Sequence, residues 1–216
     1  MVSQVTRFQQ NRRKHFQVIF VKMVNHSIMK ERICIILVFM LAAISIYGQK
    51  SLSLGDKVPL FKATADDGST WNISKFIGKE YIVIYFFPGA MTSGCTKQAC
   101  SYRDHQNDLA SANALVVGIS GDEIENLKLF KQAENLNFPL LSDKKGDIAK
   151  TFGVPVGEGA SIKRTVEGIE HELVRDITIK RWTFIVGKDG KIIYKNDAVD
   201  AEKDSEQVLN FLSMQK

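Results

Sequence analysis

The chain has 216 residues, of which 44% are hydrophobic and 25% charged, with 15 glycines and only 4 prolines. This composition is typical of a globular protein and excludes a collagen-like, low-complexity or disordered chain. With 3 cysteines, the chain has too few disulfide partners to be stabilised by cross-links. Buried aliphatic and aromatic side chains must therefore stabilise it.

The formal net charge of +5 is concentrated at the N-terminus. Residues 1–48 contain seven of the 29 basic residues but only one of the 24 acidic residues, which leaves the rest of the chain with a net charge of −1. A nearly neutral domain lacks the broad basic surface that binds a phosphate backbone. The charge distribution therefore argues against a nucleic-acid partner.

The N-terminal segment has the organisation of a secretory signal. An apolar run at residues 33–47, ICIILVFMLAAISIY, follows Lys30 and Arg32 and precedes Gly48. At about 15 residues it is shorter than the roughly 20 that a membrane-spanning helix needs. The pattern predicts a signal over residues 1–48, cleaved after Gly48, and a periplasmic or extracellular domain over residues 49–216.

Two alternatives for this segment stay open. An uncleaved run would anchor the same domain to the membrane, with its basic flank inside. A conventional signal also begins at Met29, so translation from Met29 or Met23 is an alternative to Met1. No cysteine follows the apolar run as in a lipoprotein, and Cys34 within it is most simply a small hydrophobic residue.

Strand and helix patterns alternate in the remainder of the chain. Asp67-Gly68 is a strong turn pair and predicts an N-terminal hairpin. The apolar run at residues 81–87, YIVIYFF, predicts a central strand that is buried on both faces. A helical pattern over residues 94–109 and a second apolar run at residues 114–119 complete a β-α-β unit.

A further helix is predicted after the second apolar run. Ser120 and Glu123 have the spacing of a capping box, and apolar residues follow at helical intervals. Asn135 and Pro139 mark its end.

The C-terminal part adds another hairpin and a helix. Asp189-Gly190 joins two predicted strands at residues 181–186 and 191–195. An amphipathic helix is predicted over residues 201–214. This order of elements predicts an α/β, thioredoxin-like fold with a mixed central β-sheet flanked by helices and an N-terminal hairpin.

Two cysteines lie where the predicted central strand meets its helix. At Cys95 the backbone N–H groups and the positive end of the helix dipole converge, which favours the reactive thiolate. Cys100 follows five positions later, which on an ideal helix separates the two Cα atoms by roughly 8–9 Å. Because a disulfide usually needs less than about 7 Å, the pair can bond only if a helical turn unwinds.

This geometry favours a redox pair that cycles over a permanent cross-link. A structural disulfide and two inert thiols nevertheless stay open as alternatives. The pair lacks the two-residue spacing of a dithiol reductase, and no second cysteine pair or nearby histidine has zinc-ligand spacing. The sequence indicates no metal, haem, flavin or nucleotide cofactor.

The residues around Cys95 resemble the active-site signature of the peroxiredoxins. The matching block is Pro88-x-x-x-Thr92-x-x-Cys95, and its surroundings are most similar to the bacterioferritin-comigratory, or peroxiredoxin Q, branch. Arg181 matches a second family marker, an arginine that opens the late strand RWTFIVGKDGKI. The similarity covers about residues 52–213. It implies a thioredoxin-like fold and an antioxidant, thioredoxin-dependent peroxidase of the atypical 2-Cys type.

The resemblance implies a role for each matched residue. Cys95 would be the peroxidatic nucleophile, which attacks a peroxide oxygen and becomes a sulfenic acid. Arg181 would favour the thiolate and hold the peroxide, although a strand arginine alone is most simply solvated. Thr92 would align the peroxide and Pro88 would shield the sulfur. Taken alone, these two residues would equally well cap the helix and stop the strand.

By the same resemblance, Cys100 would be the resolving cysteine. It would condense with the sulfenic acid to an intramolecular disulfide, and a thioredoxin-like protein would reduce that disulfide. The implied substrates are hydrogen peroxide and organic hydroperoxides. Many members of the branch look monomeric, which implies a monomer or a weak dimer.

Two stretches depart from the branch. Gly89-Ala90 stands where a charged pair is more common, and Ser93 stands where proline is usual, which implies a more mobile loop. Residues 154–180 are longer than in a compact member and predict an extended loop or helix over the site. His171 within them, like His105, is interpreted as a surface residue without a catalytic role.

Two other functions stay open. An extracytoplasmic thiol-disulfide oxidoreductase would use the same fold, although the missing Cys-x-x-Cys motif argues against it. A non-enzymatic binding module would use the two thiols as a redox switch on a partner surface. Peroxide-dependent turnover with a dithiol would separate the peroxidase from both.

Overall fold

The structure is a computed structural model that describes residues 51–215. The predicted signal peptide, its cleavage site, the alternative starts and Cys34 lie outside the described residues. Between residues 51 and 215, no helix is both long enough and apolar enough to cross a membrane.

The described part of the chain folds into strands and helices that alternate. The strands are β1 (Lys62–Ala65), β2 (Thr70–Asn72), β3 (Tyr81–Phe86), β4 (Ala114–Ser120), β5 (Leu140–Ser142), β6 (Val156–Val166), β7 (Ile169–Ile179), β8 (Trp182–Val186) and β9 (Ile192–Asn196). The α-helices are α1 (Ser93–Asp104), α2 (Gln106–Ser111), α3 (Ile124–Glu134), α4 (Asp147–Phe152) and α5 (Asp204–Ser213). A short 3₁₀ helix (Ile73–Lys75) follows β2.

Seven strands form a mixed sheet in the order β2-β1-β5-β4-β3-β8-β9. β3 pairs in parallel with β4 and antiparallel with β8, and β4 pairs in parallel with β5. The predicted β-α-β unit is thus β3, the helices α1 and α2, and β4. The predicted central strand, β3, lies one position from the middle of the sheet, which β4 occupies. The mixed sheet with its helices confirms the predicted fold class.

Side chains of β3 enter two hydrophobic cores, one on each face of the sheet, because neighbouring side chains on a strand point in opposite directions. Val83 and Tyr85 pack in the core that α1, α3 and α5 cover, and this core includes Cys95. Ile82 and Ile84 pack in the core that α4 covers. All four β3 side chains are fully buried, as the uninterrupted apolar run predicts.

Both predicted hairpins are present. β1 and β2 pair antiparallel across Asp67-Gly68, and Gly68 has a φ of 82°. β8 and β9 pair antiparallel across Asp189-Gly190, and Gly190 has a φ of 75°. Glycine has no Cβ and adopts these positive φ values without a steric penalty.

The helix predicted over residues 94–109 is interrupted at His105. Nδ1 of this ring lies 3.0 Å from the Ser101 carbonyl oxygen and 2.9 Å from Ser205 Oγ. The imidazole therefore connects the end of α1 to α5. His105 is therefore only partly exposed, and the interpretation that it has no catalytic role stays a prediction.

The capping box predicted at Ser120 and Glu123 is also wrong. Ser120 is the last residue of β4, and its Oγ donates to Asp122 Oδ2 at 2.9 Å. Glu123 is itself the N-cap residue of α3 and forms no side-chain cap bond. The helix ends as predicted, because Asn135 takes a left-handed conformation with a φ of 52°.

Residues 154–180 form a long hairpin, so the prediction of an extended loop or helix is wrong. β6 and β7 have 11 residues each and pair antiparallel from their outer ends to the turn. The two turn residues, Glu167 and Gly168, have positive φ values of 51° and 81°, as the two-residue turns of hairpins require. Most side chains of β6 are exposed, so the strand lacks the apolar alternation that identifies strands in a sequence.

Candidate active site

The candidate site lies at the carboxyl end of β3, where residues 88–92, here called the pre-helix loop, lead into α1. Thr92 is the N-cap residue of α1, and Cys95 lies in the first turn. The Cys95 side chain is only 1% exposed. The first N–H groups of a helix have no partners within it and carry a partial positive charge, which stabilises an anion there.

Arg181 contacts the sulfur of Cys95. Its Nη2 donates to Cys95 Sγ at 3.2 Å. Arg181 immediately precedes β8, and the pairing of Phe86 with Trp182 brings β8 next to β3. Gly94 leaves room for the guanidinium, since a Cβ at this position would lie 3.3 Å from Arg181 Nη2. The structure therefore places a charged donor and the N-terminus of a helix at the same thiol.

Gln98 and Asp204 hold Arg181 in this position. Gln98 lies one turn after Cys95, and its Oε1 accepts a hydrogen bond from Arg181 Nη1. Its Nε2 donates to Asp204 Oδ2 on α5 at 2.7 Å. A continuous chain of hydrogen bonds thus runs from α5 to the sulfur.

Asp204 is fully buried and accepts two further hydrogen bonds. Tyr102 Oη and Thr183 Oγ1 each donate to Asp204 Oδ2 at 2.7 Å. Burial raises the pKa of the Asp204 carboxyl, and hydrogen bonds from Tyr102, Thr183 and Gln98 act in the opposite direction. Burial and the nearby Asp204 raise the pKa of Tyr102 well above its ordinary value. Asp204 is therefore a shared acceptor for α1 and β8.

Thr92 and Pro88 lie in the pre-helix loop. Thr92 Oγ1 donates to the Gly89 carbonyl oxygen at 3.1 Å and forms no side-chain cap bond with α1. The hydroxyl therefore closes the loop on itself instead of capping the helix. Pro88 follows the end of β3 and is half-buried.

Cys100 lies on the same helix as Cys95, and both cysteines are free thiols. Cys100 is half-buried, and its Sγ donates to Glu134 Oε2 on α3 at 3.5 Å. Burial raises the pKa of the Cys100 thiol; Arg103 lowers it, and Glu134 raises it further. The two thiols thus have opposite partners, a cation for Cys95 and a carboxylate for Cys100.

A buried ion pair supports the pre-helix loop. Arg175 on β7 contacts Asp122 with a distance of 2.9 Å between Nε and Oδ1, and their side chains are 2% and 0% exposed. The N–H of Ala90 donates to Asp122 Oδ2 at 2.8 Å. Arg175 Nη2 donates to the Ala90 carbonyl oxygen at 3.3 Å. Both backbone polar groups of Ala90 are therefore bonded to the ion pair.

Gly89 makes this arrangement possible. A Cβ at position 89 would lie only 2.2 Å from Arg175 Cζ, so no other residue fits without displacing the guanidinium. The charged group beside positions 89–90 therefore comes from the β6–β7 hairpin. Sequence reasoning missed Arg175, Asp122, Gln98 and Asp204, and of these only Gln98 had a local signal, its position one helical turn after Cys95.

His171 does not belong to these contacts and lines a surface groove beside α3 with Lys128 and Gln132. Within the part of the chain that the structure describes, no three His, Cys, Asp or Glu side chains are grouped as metal ligands.

A thioredoxin-like sheet with a buried cysteine and its arginine at a strand-to-helix junction defines the class of thiol peroxidases called peroxiredoxins. The AhpC/TSA family model matches residues 54–195. The chain belongs to the AhpC/TSA family. This membership supports a thiol peroxidase activity, in which hydroperoxides are reduced with electrons from thioredoxin-like donors.

Two relatives identify the branch. The chain is 38% identical over 161 residues to peroxiredoxin Bcp of Escherichia coli K12, and this match covers 74% of this chain and 96% of that protein. It is also 38% identical over 160 residues to the chloroplastic peroxiredoxin Q of Populus jackii, and this match covers 73% of this chain and 67% of that protein. The predicted resemblance to the bacterioferritin-comigratory, or peroxiredoxin Q, branch is confirmed.

Solved structures agree with this assignment. The crystal structure of peroxidoxin BcpB from Mycobacterium tuberculosis matches with a TM-score of 0.64 and 30% identity, over 76% of this chain and 99% of that one. A cysteine-to-serine mutant of PrxQ from Xylella fastidiosa matches with a TM-score of 0.64 and 22% identity, over 77% and 98% of the two chains. The latter likeness supports the thioredoxin-like fold.

Proposed function

We propose that the protein reduces hydrogen peroxide and organic hydroperoxides with Cys95 as the peroxidatic nucleophile and Cys100 as the resolving thiol. The observation that supports this proposal most directly is the 3.2 Å contact between Arg181 Nη2 and Cys95 Sγ. This contact places a guanidinium at a cysteine in the first turn of a helix, and the proposed attack uses the thiolate, which is the nucleophilic form of cysteine.

In the first step the Cys95 thiolate attacks one peroxide oxygen and the O–O bond breaks. The sulfur is oxidised to a sulfenic acid, and the other oxygen leaves as water or an alcohol after it takes up the proton that the Cys95 thiol released on ionising. Arg181 holds the peroxide through its N–H donors and stabilises the charge of the leaving oxygen. The Thr92 hydroxyl exchanges its bond to Gly89 for one to the peroxide, and Pro88 limits the access of water.

In the second step the Cys100 sulfur attacks the sulfenic acid sulfur of Cys95. An S–S bond forms, the S–O bond breaks and the oxygen leaves as water. Because both cysteines lie on α1, the helix must unwind locally before the two sulfurs meet. A thioredoxin-like dithiol protein then reduces the disulfide and becomes oxidised itself.

We also propose that this chemistry takes place outside the cytoplasm, in the periplasm or beyond, with the protein as a monomer or weak dimer. The basic and apolar pattern of residues 1–48 supports export. The membrane is involved only if that segment stays uncleaved.

Mixing the reduced protein with one equivalent of hydrogen peroxide tests the proposed mechanism. In a Cys34→Ser background we expect the loss of two thiols and about 2 Da of mass within seconds. Cys95→Ser should lose all activity. Cys100→Ser should consume about one equivalent of peroxide but fail to turn over with a dithiol. Unchanged thiols in the parent protein, or full turnover by Cys100→Ser, would contradict the proposal.

A further inference from the structure

We propose that the β6–β7 hairpin, through Arg175, holds the pre-helix loop in place and thereby sets the rate at which α1 unwinds to form the Cys95–Cys100 disulfide. This inference rests on the proposed function. It assigns Arg175 and Asp122 as positioning residues, since neither contacts the sulfur of Cys95.

The pre-helix loop depends on contacts from outside for its conformation. Met91 has a φ of 59°, in the left-handed region that is unfavourable for a residue with a side chain. Arg164 Nε on β6 donates to the Met91 carbonyl oxygen at 2.9 Å. The preceding residue, Ala90, is bonded at both backbone groups by the Arg175–Asp122 pair. Both strands of the hairpin thus hold consecutive residues of the loop.

The hairpin is itself anchored and can serve as a fixed support. Residues 122 and 175 form an antiparallel β-bridge, and Asn126 Nδ2 on α3 donates to the Val174 carbonyl oxygen at 3.0 Å. Leu173 on the same strand is fully buried in the core that contains Cys95. Another close contact is at Gly121, where a Cβ would lie 2.5 Å from Ile177 Cγ1.

These anchors lie at the end of α1 that must open. Cys95 is in the first turn, and this turn continues directly from Met91 and Thr92. If the first turn unwinds toward Cys100, the loop must leave its bonds to the hairpin. When the loop moves away, the Arg175–Asp122 pair loses its hydrogen bonds to the backbone of Ala90. Because the loss of such bonds to buried charged groups costs free energy, the ion pair stabilises the wound helix relative to the unwound one.

A wound helix extends the lifetime of the sulfenic acid. As long as Cys100 cannot reach Cys95, a second peroxide molecule can oxidise the sulfenic acid to sulfinic acid, with its own O–O bond broken and water or an alcohol released. The hairpin thus sets the balance between resolution by Cys100 and overoxidation of Cys95.

The test measures the two oxidation steps separately. Reduced protein in the Cys34→Ser background is mixed with one equivalent of hydrogen peroxide, quenched with a thiol-alkylating reagent after milliseconds to seconds, and analysed by intact mass. The sulfenic acid, the disulfide and the sulfinic acid differ from the thiols by about +16, −2 and +32 Da. The lifetime of the sulfenic acid gives the rate of resolution.

We expect Arg175→Lys, which keeps the charge but loses the bond to Ala90, to form the disulfide about fivefold faster or more. In excess peroxide it should accumulate correspondingly less sulfinic acid. Arg164→Gln should act in the same direction, and because Arg164 is half-exposed this variant preserves the buried pair. The matched control is Lys163→Ala, which removes an exposed ion pair to Glu170 on the same hairpin and should resolve at the parental rate.

The outcomes separate this inference from the proposed function. If Cys95 is not oxidised in the parent protein, the proposed function fails. If Cys95 is oxidised but folded Arg175→Lys and Arg164→Gln resolve at the parental rate or more slowly, the role of the hairpin is overturned. If Arg175→Lys does not fold, two other variants provide the test. They are Arg164→Gln and the double variant Arg175→Met with Asp122→Asn, which removes both buried charges together. Faster resolution in these variants supports the role of the hairpin, and resolution at the parental rate or more slowly overturns it.

Discussion

Cys95 and Cys100 have identical side chains, but their charged neighbours have opposite signs. The sulfur of Cys95 accepts a bond from a guanidinium, whereas the thiol of Cys100 donates to the carboxylate of Glu134. The raised pKa of Cys100 keeps it a thiol at neutral pH. Under the proposed mechanism, this difference in surroundings would favour the reaction of peroxide at Cys95 over Cys100.

Replacing Glu134 with glutamine should increase the reactivity of Cys100. Loss of the carboxylate removes one of the causes that raise the pKa of the Cys100 thiol, while Arg103 still lowers it. In a Cys95→Ser background with Cys34 also replaced, we expect alkylation of Cys100 by iodoacetamide at pH 8 to become several-fold faster.

Glu202→Gln is the matched control for this comparison. Glu202 pairs with Lys97 on the exposed side of α1 and does not contact Cys100. Equal alkylation rates for the parent and Glu134→Gln would mean that the carboxylate does not influence the thiol.

At the scale of elements, α5 supports the helix that carries both cysteines. Its residue Asp204 binds Gln98 and Tyr102 of α1, and Ser205 contacts Ser101 with an Oγ–Oγ distance of 2.5 Å. These contacts involve the part of α1 that follows Cys95. The hairpin thus binds the pre-helix loop that precedes α1, whereas α5 binds the turns of α1 that follow Cys95.

The buried carboxyl of Asp204 predicts a specific dependence of stability on pH. Its folded-state pKa is raised, so between the ordinary value of about 3.9 and the raised value the folded chain binds a proton that the unfolded chain has lost. The free energy of unfolding therefore falls as pH rises through this window. Asp204→Asn lacks this titration, so urea unfolding from pH 4 to 7 should show the parent losing stability relative to the variant.

Asp197→Asn provides the control, because Asp197 is an exposed aspartate near Lys195. Its free energy of unfolding should follow the parent across the same pH range. Parallel profiles for the parent and Asp204→Asn would show that the proton affinity of this carboxyl is the same in both states.

Sequence reasoning predicted elements that have strong local signals. The apolar run of β3 and the turns at Gly68 and Gly190 act within a few residues, and each prediction is confirmed. The β6–β7 hairpin has a weak signal in the sequence because β6 is mostly exposed and one of the buried inward positions of β7 is a charged residue, Arg175. The break at His105 was missed because it depends on a contact with another helix.

The candidate site divides in the same way. Cys95 and Arg181 were found through a family signature, and the structure brings them into contact. The groups that position them were not found, because Ala90 is 32 residues from Asp122 and Gln98 is 106 residues from Asp204. Such pairs have no signal in a single sequence, and only the fold brings them together.

At the scale of the whole molecule, the chain combines a nearly neutral catalytic domain with a basic, apolar N-terminal segment. If export occurs as proposed, the exported protein should begin at Gln49, and its mass should lack residues 1–48. N-terminal sequencing of protein from the extracytoplasmic fraction measures this directly. Reversal of the basic flank by Lys30→Glu and Arg32→Glu should reduce export. An uncut chain in the cytoplasm would overturn the proposed location, and an uncut chain in the membrane would favour the anchored form.

The close approach of Gly89 to Arg175 means that a larger residue at position 89 requires a change at position 175 as well. Any side chain at position 89 would collide with the guanidinium, and loss of the guanidinium would leave Asp122 buried without its partner. A hairpin of this kind cannot be transplanted into a related enzyme unless the recipient also has a glycine before its helix. The β6–β7 hairpin and the pre-helix loop beside Cys95 thus constrain each other's amino-acid composition.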